Sequence, residues 1–291
     1  MESNKIAVFG DSILDSYTYY LSNRLSPEAP VPVIEYIKKD YFPGGAALTS
    51  SKLISYKNSI DLFTQIGIDE YGEILRDNLK KVNIYNFGSK NYSTILKNRI
   101  IVNNKYHLRE DKELFLEHNA NKKIIKKFKE NINDYKAVVL VDYKKGYFNK
   151  ELFNELKILC MEKKLKIFLD PHVDNIFNFD GIDYIKPNLL ESKRITKKNN
   201  VRSALRELES KYNTVPIVTL GKDGAVTIAD NKAVYSKIYK TKFVDSSGCG
   251  DIFFAAFINS IIKNKTLIDS LNNAVKQASQ SCKVFGYKIN W

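Results

Sequence analysis

The 291-residue chain is poor in the residues that mark several common ways of building a protein. It has three cysteines, three histidines, two methionines and one tryptophan. Three isolated cysteines, odd in number and one inside an apolar helical pattern, exclude a disulfide framework and read as reduced residues of a cytoplasmic protein. His107, His118 and His172 are scattered without ligand spacing, so a zinc site has no support. No apolar run approaches the roughly 18 residues of a membrane span, and the opening "MESNKIAVFG" is not the pattern of a targeting signal. There is no GxxxxGK[ST] loop and no GxGxxG after the first strand, which removes P-loop NTPase machinery and the dinucleotide fingerprint.

What is abundant is lysine. With 46 Lys+Arg against 33 Asp+Glu the formal charge is +13. Basic stretches such as "NKKIIKKFKENINDYK" do not interleave with aromatics as in a nucleic-acid module. They read as solvated helix faces, with an anionic small ligand compatible with the charge.

Short apolar strands alternate with helices along most of the chain. "IAVFG" (6–10) reads as a buried first strand, "VPVIEYI" (31–37) as an exposed edge strand with Pro30 and Pro32, 46–57 as a helix, and "SIDLFTQIG" as a strand. A helix near 70–81 precedes a hairpin over 92–109 that turns at "NNK". Helix 119–131, strand "KAVVLV", helix 149–163, strand "LKIFLD", "IDYIKPN", helix 200–211 and strand "TVPIVTLG" follow, then the hairpin "GAVTIAD"/"KAVYSKI" and two closing helices. This rhythm predicts a three-layer α/β domain spanning 1–291, with a mostly parallel central sheet and a small β lid from about 12–43 and 92–109.

In such folds ligands collect beyond the carboxyl ends of the strands. "GDSILD", "VDYKKG", "KPNLLE", "TLGKDG" and "DSSGCGD" all fall there. Gly248 and Gly250 permit a tight turn whose amides can cradle an anion at a helix start. Asp251 then has two readings, a first-turn acid stabilised by the helix dipole or a group that accepts a proton from an attacking hydroxyl. Asn188 and Glu191, three residues apart, can cap a helix or share a hydrated magnesium ion.

Together these motifs resemble the ribokinase-like (PfkB) carbohydrate kinases. "DSSGCGD" resembles their carboxyl-terminal signature and "PGGAA" their amino-terminal one. "KPNLLE" is similar to their Asn-x-x-Glu element, and "VTLGKDG" to their nucleotide-side glycine segment. "RLSPEAPVPVIE", "ILKNR", "HLREDKE" and "VDYKKG" narrow the resemblance to the kinase domain of bacterial D-glycero-β-D-manno-heptose 7-phosphate kinases. These use ATP to phosphorylate the C1 hydroxyl for surface-polysaccharide synthesis. Because the chain ends at "VFGYKINW", a stand-alone kinase is expected rather than a fusion to a nucleotidyltransferase.

The resemblance implies Asp251 as general base, with the amides of Gly248, Cys249 and Gly250 as the anion hole. It implies Asn188 and Glu191 for Mg²⁺, and Thr219, Gly221, Gly224, Asn188 and Asn273 for ATP. Asp11, Asp15, Gly44 and Gly45 would meet the sugar, with Lys97, Arg99, Arg109, Asp142 and Lys145 on the same side. The basic members either meet the 7-phosphate or are ordinary lid-surface charges. No nucleic-acid or membrane partner is expected, and the edge-like lid strands are compatible with a homodimer.

Two departures stand out. "GCG" replaces the usual "GAG", and Leu48 stands where the family carries an asparagine. Leu48 keeps open a kinase for another sugar or sugar phosphate. A catalytically silent nucleotide- or sugar-binding protein is the alternative of another class.

Overall fold

The run "IAVFG" is apolar throughout because its strand, β1 (Lys5–Gly10), is covered on both faces. Ile6 and Val8 enter one apolar layer while Ala7 and Phe9 enter the opposite one, the period of two expected of a strand. The computed structural model describes residues 5–113, 120–175 and 178–286; His118 and the segment 287–291 lie outside them.

After β1 the chain leaves the core in a long hairpin, β2 (Ser12–Leu25) and β3 (Pro32–Gly45). It returns through α1 (Ala46–Ser55), β4 (Ser59–Thr64), α2 (Glu70–Asp77) and β5 (Asn83–Asn86), then leaves again in β6 (Ile95–Val102) and β7 (Lys105–Lys112). The remaining elements are α3 (Asn121–Asn131), β8 (Tyr135–Val141), α4 (Lys150–Glu162), β9 (Lys166–Asp170), β10 (Tyr184–Ile185), α5 (Leu189–Thr196) and α6 (Val201–Tyr212). Next come β11 (Val215–Thr219), β12 (Ala225–Ala229), β13 (Lys232–Tyr235), α7 (Cys249–Ile262) and α8 (Leu267–Ser281).

The central sheet runs β13-β12-β11-β10-β9-β8-β1-β4-β5. It is parallel from β11 to β5, with β12 and β13 added antiparallel. One apolar layer packs α1, α2, α7 and α8 against it, and the other packs α3, α4, α5 and α6. Helix α7 is apolar nearly all round and buried along most of its length.

The two hairpins join as a separate sheet, β3-β2-β6-β7, which is the lid expected from the sequence. Asn103 and Asn104 both adopt positive φ, the two-residue turn that hairpins with right-handed twist favour. Three elements carry no strong sequence signal. The apolar stretch of β2 is broken by polar residues, β5 has only four residues, and α5 has only eight, beginning directly after "KPN". The glycines of "PGGAA" close strand β3 instead of forming a loop after it.

Strand order reverses between β8 and β1, and Gly10 sits there at φ +146°. A Cβ at Gly10 would collide with the Val141 backbone carbonyl, so space and conformation both demand glycine. Gly10→Ala is expected to destabilise the protein by about 3 kcal/mol or more, seen as a lower urea midpoint. A midpoint equal to that of the unaltered protein would contradict this reading of the crossover.

Candidate active site

The carboxyl ends of β1, β8, β9, β10 and β11 open on one side of the sheet, and the polar motifs follow directly from them. Asp11, the residue after β1, is buried and accepts backbone N–H groups from Tyr143 (2.9 Å), Lys145 (3.1 Å) and Tyr147 (3.1 Å). Its own N–H donates to Val141, and its carbonyl accepts from Ala46. Expected as a sugar ligand, Asp11 here anchors the loop after β8. Asp142 is likewise engaged, accepting from Lys144 N–H and the Asn175 amide. Burial, with the Asp11 charge second, raises the Asp142 pKa to about 7.

Asp251 lies in the first turn of α7, and only 2% of it is exposed. Gly248, at φ +70°, caps that helix without a side-chain hydrogen bond. Among the described residues no backbone acceptor meets the N–H groups of Gly248 or Gly250, so the turn presents free donors at a positive helix end. The Cys249 N–H, expected in the same cradle, is instead donated to Ser246 at 3.1 Å. It closes the turn and does not face a ligand. Tyr143 donates its hydroxyl to Asp251 at 2.9 Å.

Burial, with the Asp170 charge second, pushes Asp251 up to about 7. Lys186 and the Tyr143 hydrogen bond act in the opposite direction. Lys186 is buried, pairs with Asp170 at 2.9 Å, and its ammonium lies 3.7 Å from where a Cβ on Gly250 would be. Burial alone disfavours its charge, but Asp170, Glu191 and Asp251 outweigh that and keep the ammonium protonated. Neither Tyr143 nor Lys186 was singled out by sequence reasoning. Both stand inside quoted motifs, "VDYKKG" and "KPNLLE", where the flanking acid and asparagine drew the attention.

On the lid side, Arg99 is buried and pairs with Asp15 at 2.7 Å. Gly44 lies against the same carboxylate, where a Cβ would come 2.6 Å from Asp15 Oδ2, and Gly45 needs positive φ beside the Asp11 carbonyl. Lys97 places its ammonium 5.3 Å from the centre of the Tyr143 ring and has no ion pair among the described residues. Burial lowers its pKa. Lys145 pairs with Glu113 at 2.6 Å, while Arg109 is half exposed and pairs with its neighbour Asp111. Asp15, Gly44, Lys97 and Arg99 thus converge, whereas Arg109 stands out on the exposed strand β7.

On the other side of Asp251 a cavity of about 570 Å³ opens, lined by Thr219, Gly221 and Gly224 as expected, and also by Tyr239, Phe243, Phe253, Val275 and Ser279. No periodicity in the residues of 238–243 assigns that segment to it. Asn273 does not line it; its amide donates to Ser260 on α7, tying the last two helices together. Asn188 and Glu191 form a reciprocal capping box at α5, with Asn188 N–H on Glu191 Oε2 (2.7 Å) and Glu191 N–H on Asn188 Oδ1 (2.9 Å). The second carboxylate oxygen of Glu191 has no hydrogen bond among the described residues, so capping leaves one oxygen able to meet a cation or its water. The cysteines, isolated in sequence, are not all isolated in space: Cys249 and Cys282 bring their sulfurs to 2.7 Å.

Residues 3–290 match the sequence profile of the "pfkB family carbohydrate kinase" family. Among curated proteins the chain is 33% identical over 277 residues to the "Bifunctional protein HldE" of Helicobacter pylori strain HPAG1. That match covers 91% of this chain and 60% of the relative. The protein of that name from Coxiella burnetii is 29% identical over 270 residues, covering 89% of this chain and 56% of the relative. The chain therefore spans somewhat under two thirds of the length of these relatives. Among solved structures, Escherichia coli phosphofructokinase-2 in complex with substrates and products superposes with a TM-score of 0.76 at 14% identity, covering 94% of this chain and 92% of that one. Arabidopsis thaliana ribokinase complexed with ribose and ATP gives 0.72 at 16% identity, covering 98% and 94%. Both likenesses show a shared fold. With the profile covering nearly every residue, the chain belongs to the pfkB family of carbohydrate kinases.

Proposed function

We infer that the protein transfers the γ-phosphoryl group of ATP to the C1 hydroxyl of D-glycero-β-D-manno-heptose 7-phosphate. The observation that carries a kinase reading is the placement of Asp251, buried between a cavity and the lid, at a helix start whose free amides and adjacent Lys186 suit an anion. The heptose assignment rests on the sequence resemblance, supported by the 33% identity to an HldE protein.

In this reading ATP occupies the cavity, and its terminal phosphate lies on the amides of Gly248 and Gly250 with Lys186 alongside. Thr219, Gly221 and Gly224 line the nucleotide side. The sugar sits under the lid against Asp15, Gly44 and Arg99, and Lys97, without an ion pair among the described residues, receives the 7-phosphate. Asp251 takes the proton of the C1 hydroxyl, that oxygen bonds to phosphorus, and the bond to the bridging oxygen of ADP breaks. Asp11, Asp142 and Tyr143 position the loop and the base. The family implies magnesium, and an oxygen-only donor set with one carboxylate fits a hydrated ion held mainly through phosphates. Glu191 and Asn188 would hold it, and it would neutralise phosphate charge.

A second reading is favoured by Leu48. It is fully buried, packed with Ile252 and Phe42, and offers no amide to a sugar. Residue 48 therefore gives a sugar no polar contact, which favours a kinase for another sugar or sugar phosphate. A panel of heptose 7-phosphate, fructose 6-phosphate, fructose and ribose, with ³¹P NMR locating the new ester, decides between them. Turnover of another sugar with none of the heptose would reject the first assignment.

The exposed apolar residues of the lid hairpin, Leu21, Leu25, Ile34, Tyr36 and Ile37, favour a homodimer in which a second copy covers this sheet. Sedimentation equilibrium should show a dimer, and Ile34→Lys with Tyr36→Lys should give a folded monomer. A monomeric unaltered protein would sink the pairing.

Asp251 must be ionised to accept a proton, so phosphoryl transfer is expected to rise with pH through about 7. Tyr143→Phe removes a hydrogen bond that favours the carboxylate, so that limb should move to higher pH. Asp251→Asn should lower kcat roughly 10²- to 10⁴-fold while ATP binding, followed by calorimetry, stays within a few-fold. Retained turnover in that variant would remove Asp251 as the base.

A further inference from the structure

Two of the three cysteines meet in the wall of the cavity assigned to the nucleotide. Cys249 is the first residue of α7 and Cys282 caps the end of α8, and both line the cavity. Their sulfurs are 2.7 Å apart, against about 2.05 Å for a disulfide bond. Ser281 Oγ lies 3.2 Å from the Cys249 sulfur, which makes the site polar on one flank. The third cysteine, Cys160, is buried within the opposite apolar layer and takes no part.

The pair sits where several parts of the active site are joined. The Cys249 N–H closes the turn from Ser246 that presents Gly248 and Gly250. The Cys282 carbonyl accepts the N–H groups of Val244 (2.8 Å) and Asp245 (3.2 Å). Asp245 in turn holds Ser247 in that turn and accepts the Tyr17 hydroxyl from the lid. A bond between the sulfurs therefore couples the start of α7, the end of α8 and the lid contact through one covalent link.

We propose that Cys249 and Cys282 form a redox-active dithiol whose oxidation by a small disulfide disables the phosphate-binding turn. This rests on the kinase reading above. The Cys282 thiol is lowered because the Cys249 S–H can donate to it, so Cys282 supplies the attacking thiolate. It bonds to one sulfur of the small disulfide and expels the other as a thiolate. Cys249, giving its proton to water, then attacks the Cys282 sulfur and expels the second small thiolate. The dithiol loses two electrons and two protons, and the small disulfide becomes two thiols. Forming the bond draws Cys249 toward α8 and imposes the torsions of a disulfide on both side chains, which turns the neighbouring amides, and a misplacement on the order of 1 Å costs about 10²-fold in rate. A bound nucleotide covers both sulfurs and slows the reaction.

The test treats the full reduced chain with glutathione disulfide, with and without ATP and Mg²⁺, then alkylates, digests and weighs the peptides. The expected result is a Cys249–Cys282 cross-link with Cys160 still alkylated, formed more slowly when ATP is present. Sugar phosphorylation should fall at least tenfold and return with dithiothreitol. Independent alkylation of both cysteines with no cross-link overturns the proposal, as does a cross-linked protein with undiminished phosphorylation. If the reduced protein phosphorylates no sugar, the kinase reading fails on its own, because the cross-link and its slowing by ATP are read by mass alone.

Discussion

The Asp11 carboxylate is the constraint on which the site depends. It stands at the end of β1, where the strand order reverses, and receives three backbone N–H groups from the loop that follows β8. Two strand ends that a parallel sheet would leave as separate openings are thereby fastened to each other. Burial opposes the ionised form, and the backbone hydrogen bonds recover part of that cost, so the carboxylate is held by donors it cannot exchange for water. Through its carbonyl, which accepts from Ala46, the same residue fixes the start of α1. The Tyr143 side chain, whose backbone N–H Asp11 holds, then reaches Asp251. Asp251 is thus positioned from the far side of the switch point.

Beyond Asp11 the site is an arrangement of buried acids around one buried cation. Burial raises the cost of ionising both Asp251 and Asp170, the Asp170 charge adds to it for Asp251, and the Glu191 charge adds to it for Asp170. Lys186 relieves this by pairing with Asp170, which leaves Asp251 poised near neutrality. Without Lys186 the Asp251 pKa would be raised further. The same ammonium beside Gly250 adds positive charge where the turn already offers free amides. One lysine thus stands beside both Asp251 and the free amides.

Much of this was legible in the sequence, and the parts that were not share a physical cause. The strand ends and glycine turns could be read because backbone conformation leaves local marks: Gly248 needs positive φ, and Gly10 has no room for a side chain. Asp251 and its glycine neighbours could be picked out for the same reason. Which acid faces a ligand and which holds a loop is decided by partners more than a hundred residues away, as with Asp11 and Tyr143. Asn188 and Glu191 left two roles open by spacing, and the structure shows the capping box. Asn273, assigned to ATP by the resemblance, is turned by its place on α8 onto Ser260 and away from the cavity. The contact between Cys249 and Cys282 has no local mark at all.

The lid is tied to the rest by register. On β2 and β6, Asp15 pairs with Lys97 and Tyr17 with Arg99, so all four share one face, and Arg99 crosses the diagonal to Asp15. A slip of one residue would turn every one of them away from the sugar side. Tyr17 fixes more than the register, because its hydroxyl reaches Asp245 in the signature segment and its ring lies under the Arg99 guanidinium. The lid cannot move freely relative to the phosphate turn while that bond persists. The lid sheet and the turn that presents the Gly248 and Gly250 amides are therefore joined at Asp245, and a change that shifts the turn is felt under the lid as well.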